Sequence, residues 1–217
     1  MEQKFTSFFL LFCLITISIC HADPEQLQDF CVANNPSTDT IINGFPCKPA
    51  SSVVSDDFFF AGLSQEGNTN SRFGSSITAG NVLSFPGLNT LGLAINRVDI
   101  APGGVNPLHS HPRSSELVFV MKGNLLVGFI STANKFYSKV LGPGETFVIP
   151  KGLFHFQYNV GNSTATAITL FNSQLPGVMS APFGLFGAKP QIPMEVLTKT
   201  FQVNSSIISV LESNFGN

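Results

Sequence analysis

GGVNPLHSHPRSSELVFVMKG, residues 103–123, is the stretch on which the reading of this chain turns. Pro102-Gly103-Gly104 signals a turn at one end and Lys122-Gly123-Asn124 another at the far end. The apolar alternation between them predicts two strands, the first ended by Pro112, with Ser114-Ser115 letting the chain reverse. Residues two apart on a strand project to the same side, so His109 and His111 aim two imidazoles at one point. Glu116 opens the next strand in step with Val118 and Val120, on a face expected to be buried. An ionised carboxylate among apolar side chains is costly unless it is paired or holds a metal.

A second stretch, GETFVIPKGLFHFQYN at 144–159, repeats the logic. Pro150-Lys151-Gly152 is a turn, and His155, early in the following strand, supplies a third imidazole. The chain holds 4 histidines, and all but His21 fall in these two stretches. A lone His-x-His is a weak signal; three imidazoles with a carboxylate between bracketing glycines are a strong one. Three nitrogens and one oxygen suit manganese, iron, nickel or copper, and an octahedral ion would keep two positions open. Zinc fits less well, since thiolates are absent and its structural sites are closed tetrahedra.

Outward from these stretches, short apolar runs recur from Ile77 to Phe171, separated by turns such as Pro86-Gly87, Gly142-Pro143-Gly144 and Gly161-Asn162. That spacing predicts an all-β sandwich or barrel. Ahead of it, Asp56–Leu63 reads as a short apolar helix or turn and residues 64–75 as a loop. Behind it, Pro193 opens a helix through Leu197, and a second helix places Ile207, Ile208, Val210, Leu211 and Phe215 on one face, capped by Asn204 or Ser205. Such a face packs against another subunit or covers one end of its own domain.

Lys4, the apolar run Ser7–Cys20 and the small-x-small triplet Cys20-His21-Ala22 read as a cleaved export signal over residues 1–22. The run is shorter than the roughly 20 residues a bilayer span needs, and no later segment reaches that length, so no membrane partner is expected. Cys31 and Cys47 then remain, an even number in an oxidising compartment, and predict a disulfide worth about 3 kcal/mol in the chain-entropy model. It would tie down a segment, 23–60, ahead of the main unit, 61–217. Asn162 and Asn204 head N-x-S/T triplets and are glycosylation candidates; Pro36 excludes Asn35.

Composition supports a single folded unit. Of 217 residues, 43% are apolar and 11% charged, far below the average of about 25% charged, which excludes disorder and favours a compact or oligomeric state. The net charge of -2 and the lack of any Lys/Arg cluster exclude nucleic acid as a partner.

The two histidine stretches resemble the paired sequence boxes of the cupins, and more narrowly those of the plant germins and germin-like proteins. Leu27-Gln28-Asp29-Phe30-Cys31-Val32-Ala33, Asn89-Thr90-Leu91-Gly92, Ala101-Pro102-Gly103-Gly104 and His109-Ser110-His111-Pro112-Arg113 carry the resemblance, which spans essentially the whole mature chain. Leu108 stands where a proline is common. The resemblance implies a single cupin jelly-roll β-barrel with C-terminal α-helices and manganese held by His109, His111, Glu116 and His155. It also implies secretion to the apoplast or cell wall, and a homohexamer built as a trimer of dimers whose C-terminal helices clasp neighbours. Two activities go with such sites: oxalate oxidase, yielding hydrogen peroxide in plant defence, and superoxide dismutase. A metal-stabilised, non-enzymatic wall protein is the third reading. Oxalate is a small dianion that needs hydrogen-bond donors beside the metal. Asn96 shares parity with Ala94, Val98 and Ile100 on an apolar face, and Asn106 precedes His109 by three residues. Both match positions of substrate-contacting asparagines in germins with oxalate oxidase activity; buried asparagines that tie down loops are the alternative.

Overall fold

A computed structural model of the chain describes residues 31–34 and 44–216. The expected export signal and the Leu27–Phe30 part of the resemblance lie outside the described residues. Within them, the two-residue alternation becomes two antiparallel five-stranded sheets. In the first, β1 (Ser75–Gly80), β2 (Ala94–Ile100), β9 (Ala165–Phe171), β4 (Glu116–Lys122) and β7 (Thr146–Ile149) lie side by side in that order. In the second the order is β10 (Met179–Ser180), β3 (Val105–Ser110), β8 (His155–Asn159), β5 (Leu125–Ile130) and β6 (Phe136–Leu141). One side of each strand faces the partner sheet. Val98, Ile100, Val118, Val120, Ile149, Ala165 and Ala167 from the first sheet meet Leu125, Val127 and Leu141 from the second in one buried core. Burying a residue of this size contributes about 1.5–3 kcal/mol, so the shared core holds the sheets face to face.

The closed jelly-roll β-barrel expected from the sequence is not what folds. The sheets keep separate edges: no strand of one is laddered to a strand of the other among the described residues. A barrel needs an unbroken ladder at both seams, with tilted, staggered strands. Here the edge strands are too short to supply it, β7 with 4 residues and β10 with 2. Alternation states which residues point inward, and it reads the same in a sandwich as in a barrel.

The C-terminal helices α1 (Ala181–Phe186), α2 (Met194–Phe201) and α3 (Ser205–Phe215) build a second small core around Phe186, Leu197 and Ile208. Asn204 caps α3, its Oδ1 accepting the Ile207 N–H at 3.2 Å. The five apolar residues expected on one face of α3 divide between two. Ile208, Leu211 and Phe215 pack inward, while Ile207 and Val210 stay 46% and 60% exposed. At 3.6 residues per turn, 207 and 210 lie on the stripe beside 208, 211 and 215. Val196 on α2 is likewise exposed, and Phe201, whose ring packs on Phe186, keeps part of its apolar surface open. No helix among the described residues is long and apolar enough to cross a membrane.

Ahead of the sheets, Cys31 and Cys47 form a disulfide. Backbone bonds from Asn34 N to Pro46 O and from Lys48 N to Val32 O pair the two segments beside it. Asn89 joins them to the body: its Nδ2 donates to Phe45 O and its Oδ1 accepts the Phe45 N–H. Asp56–Leu63 contributes a single 3-10 turn, Ser55–Phe58. Asn162 and Asn204, the glycosylation candidates, are both exposed.

Candidate metal centre

Register puts four polar side chains in the space between the sheets. In the first sheet the cross-strand row runs Ala94–Phe171–Glu116–Ile149. In the second it runs Ser180–His109–His155–Phe129. Glu116 therefore reaches inward from one sheet to meet His155 and His109 from the other. His111 follows directly after β3, and its carbonyl accepts the Gly152 N–H at 3.1 Å, which ties the two predicted turns together. All four side chains are buried, and one ligand atom from each lies within 4.8 Å of every other.

The backbone decides which nitrogen of each ring faces the centre. His109 Nδ1–H donates to Pro107 O at 2.8 Å, His111 Nδ1–H to Gly177 O at 2.6 Å and His155 Nδ1–H to Leu153 O at 2.9 Å. A carbonyl only accepts, so each ring in its neutral form carries its proton on Nδ1 and turns the Nε2 lone pair inward. Glu116 Oε2 stands 2.8 Å from His155 Nε2 and 3.1 Å from His111 Nε2. Lone pairs facing one another at that distance repel unless a proton or a cation sits among them. Adjacent ligands of an octahedral ion with bonds of about 2.1 Å lie about 3.0 Å apart, and these two contacts match that spacing. The donor set of three imidazole nitrogens and one carboxylate oxygen fits a first-row transition metal.

Electrostatics keep Glu116 and His109 in ligand form. Burial pushes the Glu116 carboxyl up, but the His111 and His155 contacts outweigh it and bring it down to about 2. Burial, then the neighbouring His155 ring, push His109 down to about 4, against smaller opposing effects of Glu116 and the Pro107 carbonyl. A carboxylate that stays charged and an imidazole that stays neutral are the forms a metal needs.

Asn106 and Asn96 take different places. Asn106 Nδ2 donates to Gln157 Oε1 at 2.7 Å, and Gln157 Nε2 donates to Glu116 Oε1 at 3.2 Å. Asn96 is half-buried on the inner face of β2, in register with Thr169, one row from Glu116. Gln157 is completely buried and had not been singled out from the sequence. Its signal was there: it lies two residues after His155, a polar residue on the inward face of the same strand. Gly177, whose carbonyl anchors His111, gave no such signal. Its φ of 70° favours glycine, and a Cβ there would come within 2.8 Å of the Arg113 guanidinium.

A family model described as Cupin matches residues 61–209. The chain belongs to the cupins, in their germin-like branch. It is 63% identical to germin-like protein 3-7 of Oryza sativa subsp. japonica over 204 residues, 93% of this chain and 88% of the relative. Germin-like protein subfamily T member 2 of Arabidopsis thaliana is 52% identical over 99% of this chain and 96% of its own length. Among solved structures, a recombinant oxalate oxidase in complex with glycolate superposes with a TM-score of 0.87 and 49% identity, over 89% of this chain and 98% of that one. This cupin thus shares its fold with that enzyme and, over the matched 89% of its length, 49% of its residues.

Proposed function

We propose that this germin-like protein is a manganese-dependent oxidoreductase that converts oxalate, dioxygen and two protons into two molecules of carbon dioxide and one of hydrogen peroxide. The observation that carries the reading is the convergence of three Nδ1-anchored imidazoles and Glu116 between the sheets, in a chain 49% identical to an oxalate oxidase over 89% of its length. His109, His111, Glu116 and His155 are the ligands. When bound, manganese would supply a cationic seat for the oxalate dianion and redox-active chemistry at these ligands.

The rest is the work of the chain. The three backbone carbonyls fix the ring orientations, so that little reorganisation is needed when a ligand arrives. Gln157 holds Glu116 Oε1 and leaves Oε2 to the centre. Asn106, with one Nδ2 hydrogen committed to Gln157, keeps its other N–H for substrate, and Asn96 offers a second amide from the opposite sheet. The apolar walls, Phe171 against His111 and Phe129 beside His155, exclude water and strengthen these polar contacts.

Extracellular location is supported by the signal-like residues 1–22 and by the Cys31–Cys47 disulfide, which belongs to an oxidising compartment. Assembly as a homohexamer is supported by the exposed apolar side chains of Val196, Phe201, Ile207 and Val210 on the C-terminal helices. Asn162 and Asn204 are open to glycosylation.

The test is peroxide release by the secreted, manganese-loaded protein. Peroxide that depends on oxalate and is lost in Asn96→Ala with metal retained supports the oxidase. Superoxide loss without oxalate turnover replaces it with dismutase activity. Neither activity at full metal occupancy replaces it with a non-enzymatic wall protein.

A further inference from the structure

Among the described residues, a single buried side-chain oxygen or nitrogen has no hydrogen-bond partner: the Ser180 hydroxyl. Leaving a buried hydroxyl unsatisfied costs on the order of 1–3 kcal/mol. A role as a helix cap does not account for it. Ser180 is the N-cap residue of α1, yet its side chain makes no capping bond. Pro182, the second residue of that helix, has no N–H to offer.

Register shows where the hydroxyl points. Ser180 lies directly opposite His109, and Met179 opposite Ser110. Directly opposed residues project from the same face, with Cβ atoms about 5 Å apart. His109 faces the space between the sheets, so Ser180 does too, while Met179 turns outward and is half exposed. The segment is held firmly against the centre. Arg113 N donates to Pro176 O and Arg113 Nε to Leu175 O, while His111 Nδ1–H donates to Gly177 O. Three residues after that last anchor, the Ser180 side chain stands on the inward face of β10, across from His109, with its hydroxyl buried.

A hydroxyl offers one donor and two acceptors. Beside it the His109 N–H is already spent on Pro107 O, and a loaded centre attracts anions. We infer that Ser180 Oγ–H donates a hydrogen bond to a carboxylate oxygen of a small carboxylate anion held at the centre. Ser180 is thus a substrate-contacting residue on the edge of the site formed by β10. The inference rests on the oxidoreductase reading only for the ligand being a carboxylate.

The experiment uses the whole manganese-loaded protein and the variants Ser180→Ala and Ser180→Thr. Glycolate, the substrate analogue bound by a similar oxalate oxidase, is titrated calorimetrically under anaerobic conditions; KM and kcat are measured with oxalate; metal content and Tm are measured for each protein. The alanine variant is expected to bind glycolate about tenfold more weakly, the loss of one hydrogen bond. Its KM for oxalate rises by a similar factor with kcat little changed. Its metal content stays the same, and its Tm is unchanged or higher because an unsatisfied hydroxyl has gone. Threonine restores most of the affinity. Wild-type affinity for glycolate in Ser180→Ala overturns the inference, and so does a fall in Tm accompanied by metal loss, which marks a structural role. A wild-type protein that does not bind glycolate also overturns it. A wild-type protein that binds glycolate but releases no peroxide from oxalate overturns the oxidase reading alone, and the variant's weaker glycolate binding then still supports the role of Ser180.

Discussion

Two buried carboxylates sit two strands apart in the first sheet, on opposite faces, and they are completed in opposite ways. Asp99 on the outer face of β2 is surrounded by donors. Arg97 Nε reaches both of its oxygens at 2.8 and 3.1 Å, Arg97 Nη2 adds a bond at 3.0 Å, and Thr166 Oγ1 and the Gly67 N–H add one each at 2.8 Å. Burial raises its carboxyl, and the Arg97, Gly67 and Thr166 bonds more than reverse that. Its charge is neutralised and its lone pairs are filled, so the group is finished by the fold itself. Glu116 on the inner face of β4 meets imidazole nitrogens whose hydrogens are all directed elsewhere. Gln157 fills one lone pair of its Oε1, and its Oε2 is completed by a proton or a metal cation among the rings. Equal burial thus separates a structural carboxylate, here pinning residues 63–67 onto the sheet through Arg97 and Asp99, from one held ready for chemistry.

The comparison breaks most visibly at the inner site. His155→Ala or Glu116→Ala is expected to lose nearly all bound manganese, read by elemental analysis, while Arg97→Ala keeps it in full; metal retained in both site variants would overturn the ligand assignment. At the outer site the effect is on stability. Removing Arg97 leaves Asp99 buried and unpaired, which costs about 3 kcal/mol, a fall in Tm of roughly 6–12 °C. Gln157→Leu sharpens the contrast, since it leaves every ligand in place and frees Glu116 Oε1. It is expected to weaken metal affinity about tenfold by competition with a chelator, with the sheets intact by circular dichroism.

The smallest effect is the pH dependence of the metal-free protein. His109 is pushed from 6.5 to about 4 in the folded state. Between those values the unfolded chain takes up a proton that the folded chain refuses, so stability falls as pH drops through that window. Asp99 is lowered from 3.8, so its contribution is present above that value and is lost below it. Glu116, brought from 4.5 down to about 2, acts in the same sense over that range. Denaturation midpoints measured against pH should therefore decline below 6.5 through the inner site, and Arg97→Ala should reduce only the part of the decline below 3.8. Manganese-loaded protein should resist the first part, because the metal competes with the proton.

Much of this was legible in the sequence, for a common reason. Strands with one wet and one dry side write their facing directly into the alternation, so β2, β3, β4 and β8 and the inward direction of His109, Glu116 and His155 could be read without coordinates. Closure could not, because it depends on which edge strands meet, and a two-residue strand such as β10 leaves no pattern. The partners that orient the rings were also hidden. Pro107, Leu153 and Gly177 act through backbone carbonyls, which every residue has. On α3, apolar identity alone did not separate the residues that pack inward from Ile207 and Val210, which face away.

The open seam gives the ion a second task. Two of its proposed ligands hang from one sheet, His111 from the turn that follows β3 and Glu116 from the other sheet, with no continuous ladder joining the two. Metal at that point is a rivet through two plates: it clamps the mouth of the sandwich that strand pairing leaves unfastened. Chelation would then do more than silence a reaction. It would let the plates part at that end, and the sites of fastest proteolysis and amide exchange in the stripped protein should cluster around the turns at 111–115 and 150–154.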